Sequence, residues 1–256
     1  MDVIVCIKRV ADTSEVEIEI DRTGRALEED DFSWDINEWD NFAVEAAVQL
    51  KEQHGGTVTA LTVGGEDDEE VLRRALAMGC DAAVHLCDEA FAGADAWGVA
   101  RALAAAVAGR PCDLLLLGAV SADEGRGQVG GFLAGMLDRP LVALATGLEV
   151  ADGRATVRHE VEGGLERVVE VDLPAVVTVQ TGINEPRYVS IRGIRKVAGA
   201  DIPVLGAAEL GVGAEPRVTL EELFLPPKGE GAEILEGSDD EVVEKLVEML
   251  RERGGL

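Results

Sequence analysis

Asp113-Leu114-Leu115-Leu116-Leu117-Gly118-Ala119-Val120-Ser121-Ala122-Asp123-Glu124-Gly125-Arg126-Gly127-Gln128-Val129-Gly130-Gly131 is the stretch that decides the fold. An unbroken apolar run ending at a glycine reads as a strand covered on both faces, and such strands belong to parallel sheets flanked by helices. Behind it lies a Gly-rich turn and then a helical pattern over Gln128–Leu137, which completes a strand–turn–helix unit. Three similar runs precede it: Val3–Ile7, Thr57–Val63 and Ala82–Leu86. Helical periodicity separates them. The first helix covers Glu38–Gln53, with Trp39, Phe42, Ala43, Ala46, Ala47 and Leu50 on one stripe and Asn37 as its expected N-cap. Two more cover Asp68–Met78 and Ala94–Ala108. The alternation predicts an α/β fold built on a Rossmann-like parallel sheet.

Downstream the pattern changes. Arg154–His159 and Leu165–Val171 alternate in sidedness around Glu162-Gly163-Gly164, which predicts an antiparallel hairpin. Pro174 opens one more apolar strand, Ala175–Val179. From about Ile202 the chain is punctuated by Gly and Pro, and it ends in an acidic-capped helix, Asp239–Arg251, striped by Val242, Val243, Leu246, Val247 and Leu250. That much apolar mass is too little to fold alone. The expected organisation is therefore an α/β domain over residues 1–201 and a C-terminal arm, 202–256, packing on a partner subunit.

Composition bounds the function. The chain has 256 residues, 47% of them hydrophobic, enough for a full core and too many for general disorder. No apolar run approaches the roughly 20 residues that cross a bilayer, so no membrane insertion is expected. Met1-Asp2-Val3-Ile4-Val5-Cys6 lacks a basic export n-region and reads as a buried strand, which makes the expected location cytoplasmic. A net charge of −27 repels nucleic acid and anionic membranes alike. The acids are scattered (Glu28-Glu29-Asp30-Asp31, Glu66 to Glu70, Asp239-Asp240-Glu241), as on a solvated face, while 5 Lys stand against 18 Arg. Many acids with few lysines suit a halophilic host, since molar salt shortens screening to about 3 Å; an Arg-rich genome is the other source of that bias. Cys6, Cys80, Cys87 and Cys112 form no C-x-x-C pair and read as small buried hydrophobes. His54, His85 and His159 never share a helix face at ligand spacing. Neither a metal site nor a catalytic triad is expected.

In doubly wound sheets, ligands bind beyond the carboxyl ends of strands where strand order reverses. Three segments end strands there: Cys6-Ile7-Lys8, Val63-Gly64-Gly65, and the loop from Gly118 to Gly131. In that loop glycines let backbone amides approach a phosphate, and the helix from Gln128 aims its positive end at it. Arg126 offers a bidentate contact and Asp123 suits a ribose or a loop amide. The spacing is neither a P-loop nor G-x-G-x-x-G, and a flexible Gly-rich turn fits it equally well. A second segment, Gly182-Ile183-Asn184-Glu185-Pro186-Arg187-Tyr188, follows a buried strand and holds the only tyrosine. It reads either as a docking tip with an exposed Ile183 or as a packed turn into the arm.

Several stretches in order resemble the electron transfer flavoprotein β (small) subunit over nearly the whole chain. They are Val5-Cys6-Ile7-Lys8-Arg9-Val10, Ala43-Val44-Glu45-Ala46-Ala47, Ala75-Leu76-Ala77-Met78-Gly79, Phe91-Ala92-Gly93-Ala94-Asp95, and Asp123 with Gln128-Val129-Gly130. The most specific runs from His159-Glu160-Val161-Glu162-Gly163-Gly164-Leu165-Glu166 to Leu173-Pro174-Ala175-Val176-Val177-Thr178, followed by Asn184-Glu185-Pro186-Arg187-Tyr188. The resemblance implies a sheet of the adenine-nucleotide-binding type and a heterodimer whose α subunit holds a redox FAD near the interface. It implies AMP or a second FAD in this subunit, with contacts at Cys6, Lys8, Asn37, Val63, Val120, Ala122, Asp123, Gly125, Arg126, Gly127, Gln128, Val129, Gly130 and Gly131. Thr13 falls in a loop that in the family approaches the flavin. Ile183, Asn184, Glu185, Pro186, Arg187 and Tyr188 fall in the family's recognition loop, with Ile183 in place of a usual Leu as the anchor for dehydrogenases. Gly125-Arg126-Gly127 and Ala119-Val120 depart from the family's usual loop residues, so phosphate contacts there centre on Arg126 or are weakened. The function implied is an electron carrier, not a bond-making enzyme, that passes electrons from dehydrogenases to a quinone-linked or other acceptor. Alternatives are an electron-bifurcating subunit with a second FAD and a stand-alone nucleotide-binding regulatory protein of the same fold.

Overall fold

Strand β1 (Asp2–Cys6) opens the chain and is followed by a small antiparallel pair, β2 (Arg9–Asp12) and β3 (Ser33–Ile36). Then come α1 (Glu38–His54), β4 (Thr57–Val63), α2 (Glu69–Met78), β5 (Ala82–Leu86), α3 (Ala96–Ala108), β6 (Leu114–Gly118) and α4 (Val129–Leu137). The second half holds β7 (Leu141–Ala151), β8 (Arg154–Val161), β9 (Leu165–Asp172), β10 (Ala175–Val179), α5 (Ile191–Val197), β11 (Val204–Leu205), α6 (Ala207–Leu210) and α7 (Asp239–Glu252). The structure, a computed structural model, describes all residues except Glu15, Ala214, Lys228, Glu230 and Leu256.

Among the described residues nine strands form one sheet in the order β11-β5-β4-β1-β6-β10-β7-β8-β9. Pairing is parallel from β11 to β7 and antiparallel across β7, β8 and β9. The fold is α/β with a mostly parallel sheet and an antiparallel hairpin, as the sequence pattern predicts. The four leucines of β6 show why the run had to be unbroken. Leu114 and Leu116 enter the layer under α1 and α2, while Leu115 and Leu117 enter the layer under α3 and α4. Successive side chains of a strand point to opposite faces, so a strand covered twice needs an apolar residue at every position. Each buried leucine contributes roughly 1.5–3 kcal/mol.

Three features differ from the expectations. The strand β7, eleven residues long, had no sequence signal. Its Leu144 has φ of 58°, its pairings with β10 and β8 both shift register, and Gly147 lies within it, so neither alternation nor a continuous run survives. The pair β2–β3 joins four-residue strands across a loop of about twenty residues, too long a gap for hairpin spacing to show. The sheet also extends past the expected boundary at 201/202. Ile202 is buried, β11 adds an edge strand beside β5, and Leu205, Ala207, Leu210 and Val212 pack on the α3–α4 layer. Arg217 stacks on Trp97 at 3.8 Å, and the backbone N–H groups of Arg217 and Val218 donate to the Asp95 carboxylate at 2.8 and 3.0 Å. Beyond that clamp the Leu223 N–H donates to the Gly24 carbonyl at 2.8 Å and Arg25 Nε to the Glu221 carbonyl at 3.0 Å. The large apolar side chains that follow are nonetheless exposed: Phe224 is 77% exposed, Ile234 84%, and α7 buries none of its described residues.

Candidate functional site

Strand order reverses at β1, which has β4 on one side and β6 on the other. The helix α1 leads to β4 through one layer, while α3 leads to β6 through the opposite layer. The connections therefore part beyond the carboxyl ends of β1 and β6, where a crevice is expected. A cleft of about 580 Å³ opens there. Of the expected nucleotide contacts, Cys6, Lys8, Asn37, Val63, Val120, Asp123, Arg126, Gly127, Gln128, Val129 and Gly130 line it. Thr13, Ala122, Gly125 and Gly131 do not; Thr13 is exposed just past β2.

Two side chains at the start of α1 hold the cleft in shape. Asn37 was expected to cap the helix, but its side chain makes no capping bond. Its Nδ2 instead donates to the Val120 carbonyl at 2.9 Å, and its Oδ1 accepts from the Ala122 N–H at 3.0 Å. Two loop amide groups thus gain a fixed partner, which a free N-terminal turn of α1 can obtain from water. Asp40, 5% exposed, accepts from the Lys8 N–H at Oδ2 and from the Gly118 N–H at Oδ1, both at 2.8 Å. It ties the end of β1 to the end of β6. Gly118 permits this approach, since a Cβ there would lie 2.5 Å from Asp40 Oδ1.

The cleft has a polar end and an apolar wall. Gly125 and Gly127 take φ of 62° and 60°, a left-handed backbone open to glycine. No side chain caps the N-terminus of α4, so its first N–H groups remain available to an anion. Lys8 Nζ meets Asp123 Oδ2 at 2.7 Å, and Arg126 Nε lies 3.4 Å from Glu124 Oε2. Phe91, Ala94, Val99, Leu103 and Leu117 make a wall suited to a flat heterocycle. Burial raises the Asp40 pKa to about 7, against the opposing pull of the two backbone donors. Burial also raises Asp68. Burial pushes Asp123 upward as well, but the hydrogen bond and charge of Lys8 outweigh it and leave its value lowered. The Cys6 thiol is pushed far up by burial and then by Asp40, which makes it inert as a nucleophile.

The segment 182–188 is anchored to α1. Arg187 donates from Nε to Glu45 Oε2 at 2.8 Å and from Nη1 to Glu52 Oε1 at 2.9 Å, and its backbone N–H also reaches Glu45 at 3.1 Å. Asn184 Nδ2 donates to the Phe42 carbonyl at 3.0 Å. Of the two readings of this segment, an exposed Ile183 tip or a packed turn, the geometry matches the packed turn at Ile183, which is half-buried against the core because these bonds draw the turn onto α1. Glu185 is exposed and Pro186 half-buried. The exposed apolar residues lie just beyond: Tyr188 at 89% and Ile191 at 69%.

Sequence reasoning passed over Asp40, Asp68, Glu29 and the apolar wall. Asp40 had a readable signal: with Ala43, Val44 and Ala47 it stands at buried-stripe spacing on α1, where an acid needs a reason. Among the described residues no helix is long and apolar enough to cross a membrane, and no group of three or more His, Cys, Asp or Glu is placed to hold a metal ion. Comparison with known proteins gives a coherent set of relatives. The electron transfer flavoprotein domain model matches residues 25–210. Electron transfer flavoprotein subunit beta of Bacillus subtilis is 41% identical over 255 residues, 98% of each chain. The subunit of the same name from Methylophilus methylotrophus is 34% identical over the full length of both. The caffeyl-CoA reductase-Etf complex subunit CarD of Acetobacterium woodii is 36% identical over 99% of each.

Proposed function

Since this chain belongs to the electron transfer flavoprotein family, as a β subunit, we propose that its cleft holds an adenine nucleotide and that it works only in a heterodimer with a flavin-carrying α subunit. The assembly shuttles electrons from dehydrogenases to a quinone-linked or other acceptor. The observation that carries the nucleotide reading is the crevice at β1 and β6, with an uncapped helix terminus at one end and an apolar wall at the other. In this reading the amides of 126–130 and the Arg126 side chain would hold phosphate, Asp123 would face ribose, and Phe91 with Leu103 and Leu117 would hold the base. The FAD carried by the α subunit would supply the redox chemistry, and Thr13 would belong to this chain's side of that site. This chain supplies position and electrostatics.

Charge sets the terms of binding. Both cations in the cleft already have carboxylate partners, so phosphate affinity comes chiefly from backbone amides and the α4 terminus. Co-purified with its α subunit and then denatured, the complex should release one adenine nucleotide per β chain beyond the flavin of the α subunit. Chromatography distinguishes AMP from FAD. A complex that releases no nucleotide from the β chain contradicts this reading.

The name of the Acetobacterium relative, a subunit of a reductase–Etf complex, gives the bifurcating alternative a definite form: two FAD per heterodimer instead of one FAD and one AMP. The stand-alone regulatory alternative fits poorly with the uncovered apolar stripe of α7. For dehydrogenases docking at 183–188, the geometry favours Tyr188 and the adjoining Ile191 as contact residues over Ile183. Arg187 and Asn184 then position the loop.

A further inference from the structure

We propose that nucleotide entry into the β1–β6 cleft is coupled to uptake of a proton by Asp40. The inference rests on the nucleotide reading above and adds to it a stoichiometric partner, the proton. Five carboxyl groups line the cleft (Glu29, Asp40, Asp68, Asp123 and Glu124) against two cations, Lys8 and Arg126. Lys8 is held by Asp123 and Arg126 by Glu124. Among the described residues, the other three carboxyls have no cation within salt-bridge distance. Glu29 is exposed and solvated by water, and Asp68 is half-buried. Asp40 alone of the three is buried, and its carboxylate is held by two backbone N–H groups, not by a counter-charge.

A phosphate adds about one to two negative charges to this space. Anions brought together in a water-poor site do not all stay ionised: the one with the weakest compensation takes a proton. Of the titratable groups that line the cleft with Asp40, the Lys8 charge favours the carboxylate, and its ammonium is already held by Asp123. From β1 these groups are the Cys6 thiol and Lys8; from the β6 loop, Asp123, Glu124 and Arg126; from the β4–α2 turn, Asp68; and from the mouth, Glu29. None is a free cation. Burial already brings the Asp40 acid near neutrality, so little further push is needed. On protonation one oxygen still accepts an N–H, so the β1–β6 tie is loosened at one bond only.

The test is calorimetric titration of the nucleotide-stripped heterodimer, flavin retained in the α subunit, with AMP. A second titration uses the methyl phosphodiester of AMP, which has no proton to gain near neutrality. Run at pH 7.5 in buffers of different ionisation enthalpy, both should show uptake of about 0.5–1 proton. Affinity for the diester should fall between pH 7 and 8.5, by up to about tenfold per pH unit. Asp40→Asn should remove the diester's uptake, and Asp68→Asn should leave it. Binding without proton uptake overturns the proposal while leaving the nucleotide reading intact; it would mean that the Lys8 and Arg126 charges compensate the phosphate in full. Uptake that persists in Asp40→Asn, or compensation by potassium at constant ionic strength, also overturns it. Failure of AMP, its diester and FAD alike to bind the wild-type complex removes the nucleotide reading and this proposal together. Should Asp40→Asn fail to fold, the wild-type proton count with the diester still decides.

Discussion

Helices α2 and α7 carry the same kind of sequence and meet opposite fates. In α2, Val71, Leu72, Ala75 and Met78 stripe one face and all are buried under the sheet. In α7, Val242, Val243, Leu246, Val247 and Leu250 stripe one face just as clearly, and none is buried. Both begin with acidic residues that suit a helix N-terminus. An amphipathic pattern therefore says that a face must be covered and does not say by what. For α2 the cover is this chain's own sheet. For α7, together with Phe224, Leu225 and Ile234, the described residues of this chain provide none, and the α subunit is the proposed cover.

The comparison breaks if the two stripes respond alike to truncation. Leu72→Ala, at a fully buried site, should cost about 2–5 kcal/mol in chemical denaturation. Leu246→Ala should change the free chain by no more than about 0.5 kcal/mol and should instead weaken the heterodimer. Equal losses in the isolated chain would show that α7 packs on its own body.

The same contrast runs through residues 183–191 at smaller scale. Arg187→Ala should lower stability by about 1–3 kcal/mol, because it strands the nearly buried Glu45 carboxylate. Burial alone would raise the Glu45 pKa, but the hydrogen bonds and charge of Arg187 lower it below the usual glutamate value. A lowered acid contributes stability above its unfolded pKa and loses it as pH falls through the folded one. The Arg187→Ala deficit should thus be full at neutral pH and vanish in acid. Tyr188→Ala should leave stability within about 0.5 kcal/mol. Its effect belongs in the rate of partner-dependent flavin reduction, at about 1–3 kcal/mol if it is a docking contact. A stability loss with normal transfer would place it with α2 instead.

The cleft stands between the two cases, since its walls are fixed and its contents are not. Arg126→Ala should weaken nucleotide retention by about 1.5–3 kcal/mol, toward the low end because Glu124 already occupies the guanidinium. Unchanged nucleotide content would leave the amides of the loop as the whole phosphate site. The smallest effect is global. At a net charge of −27 the thermal midpoint should rise from dilute buffer to molar KCl, and a flat response would remove the halophilic reading without touching the family.

What was legible in the sequence follows from how many neighbours each residue answers to. The parallel strands and their helices were readable because double coverage makes β1, β4, β5 and β6 near-continuously apolar, without a break over the four leucines of β6. Bulged β7 and the short β2–β3 pair were not, because their pairing comes from tertiary context. The cleft loop was found through its glycines. Asp40 was missed despite its stripe spacing because the amides that hold it come from distant strand ends, and the burial of Ile183 stayed open because it depends on Arg187 reaching Glu45 across 142 residues.

The central claim is that the chain ends in a surface made for the α subunit and that the pair forms a flavoprotein. Size-exclusion chromatography with absorbance detection, on the full chain and on a chain stopped after Val218, each co-expressed with an α subunit, tests it most directly. The full chain should elute as a yellow one-to-one complex, while the shortened chain, its sheet and Asp95 clamp intact, should elute apart from the α subunit or bind it far more weakly. A full chain that runs as a stable, colourless monomer indifferent to the α subunit would contradict the claim, as would a shortened chain that assembles equally well.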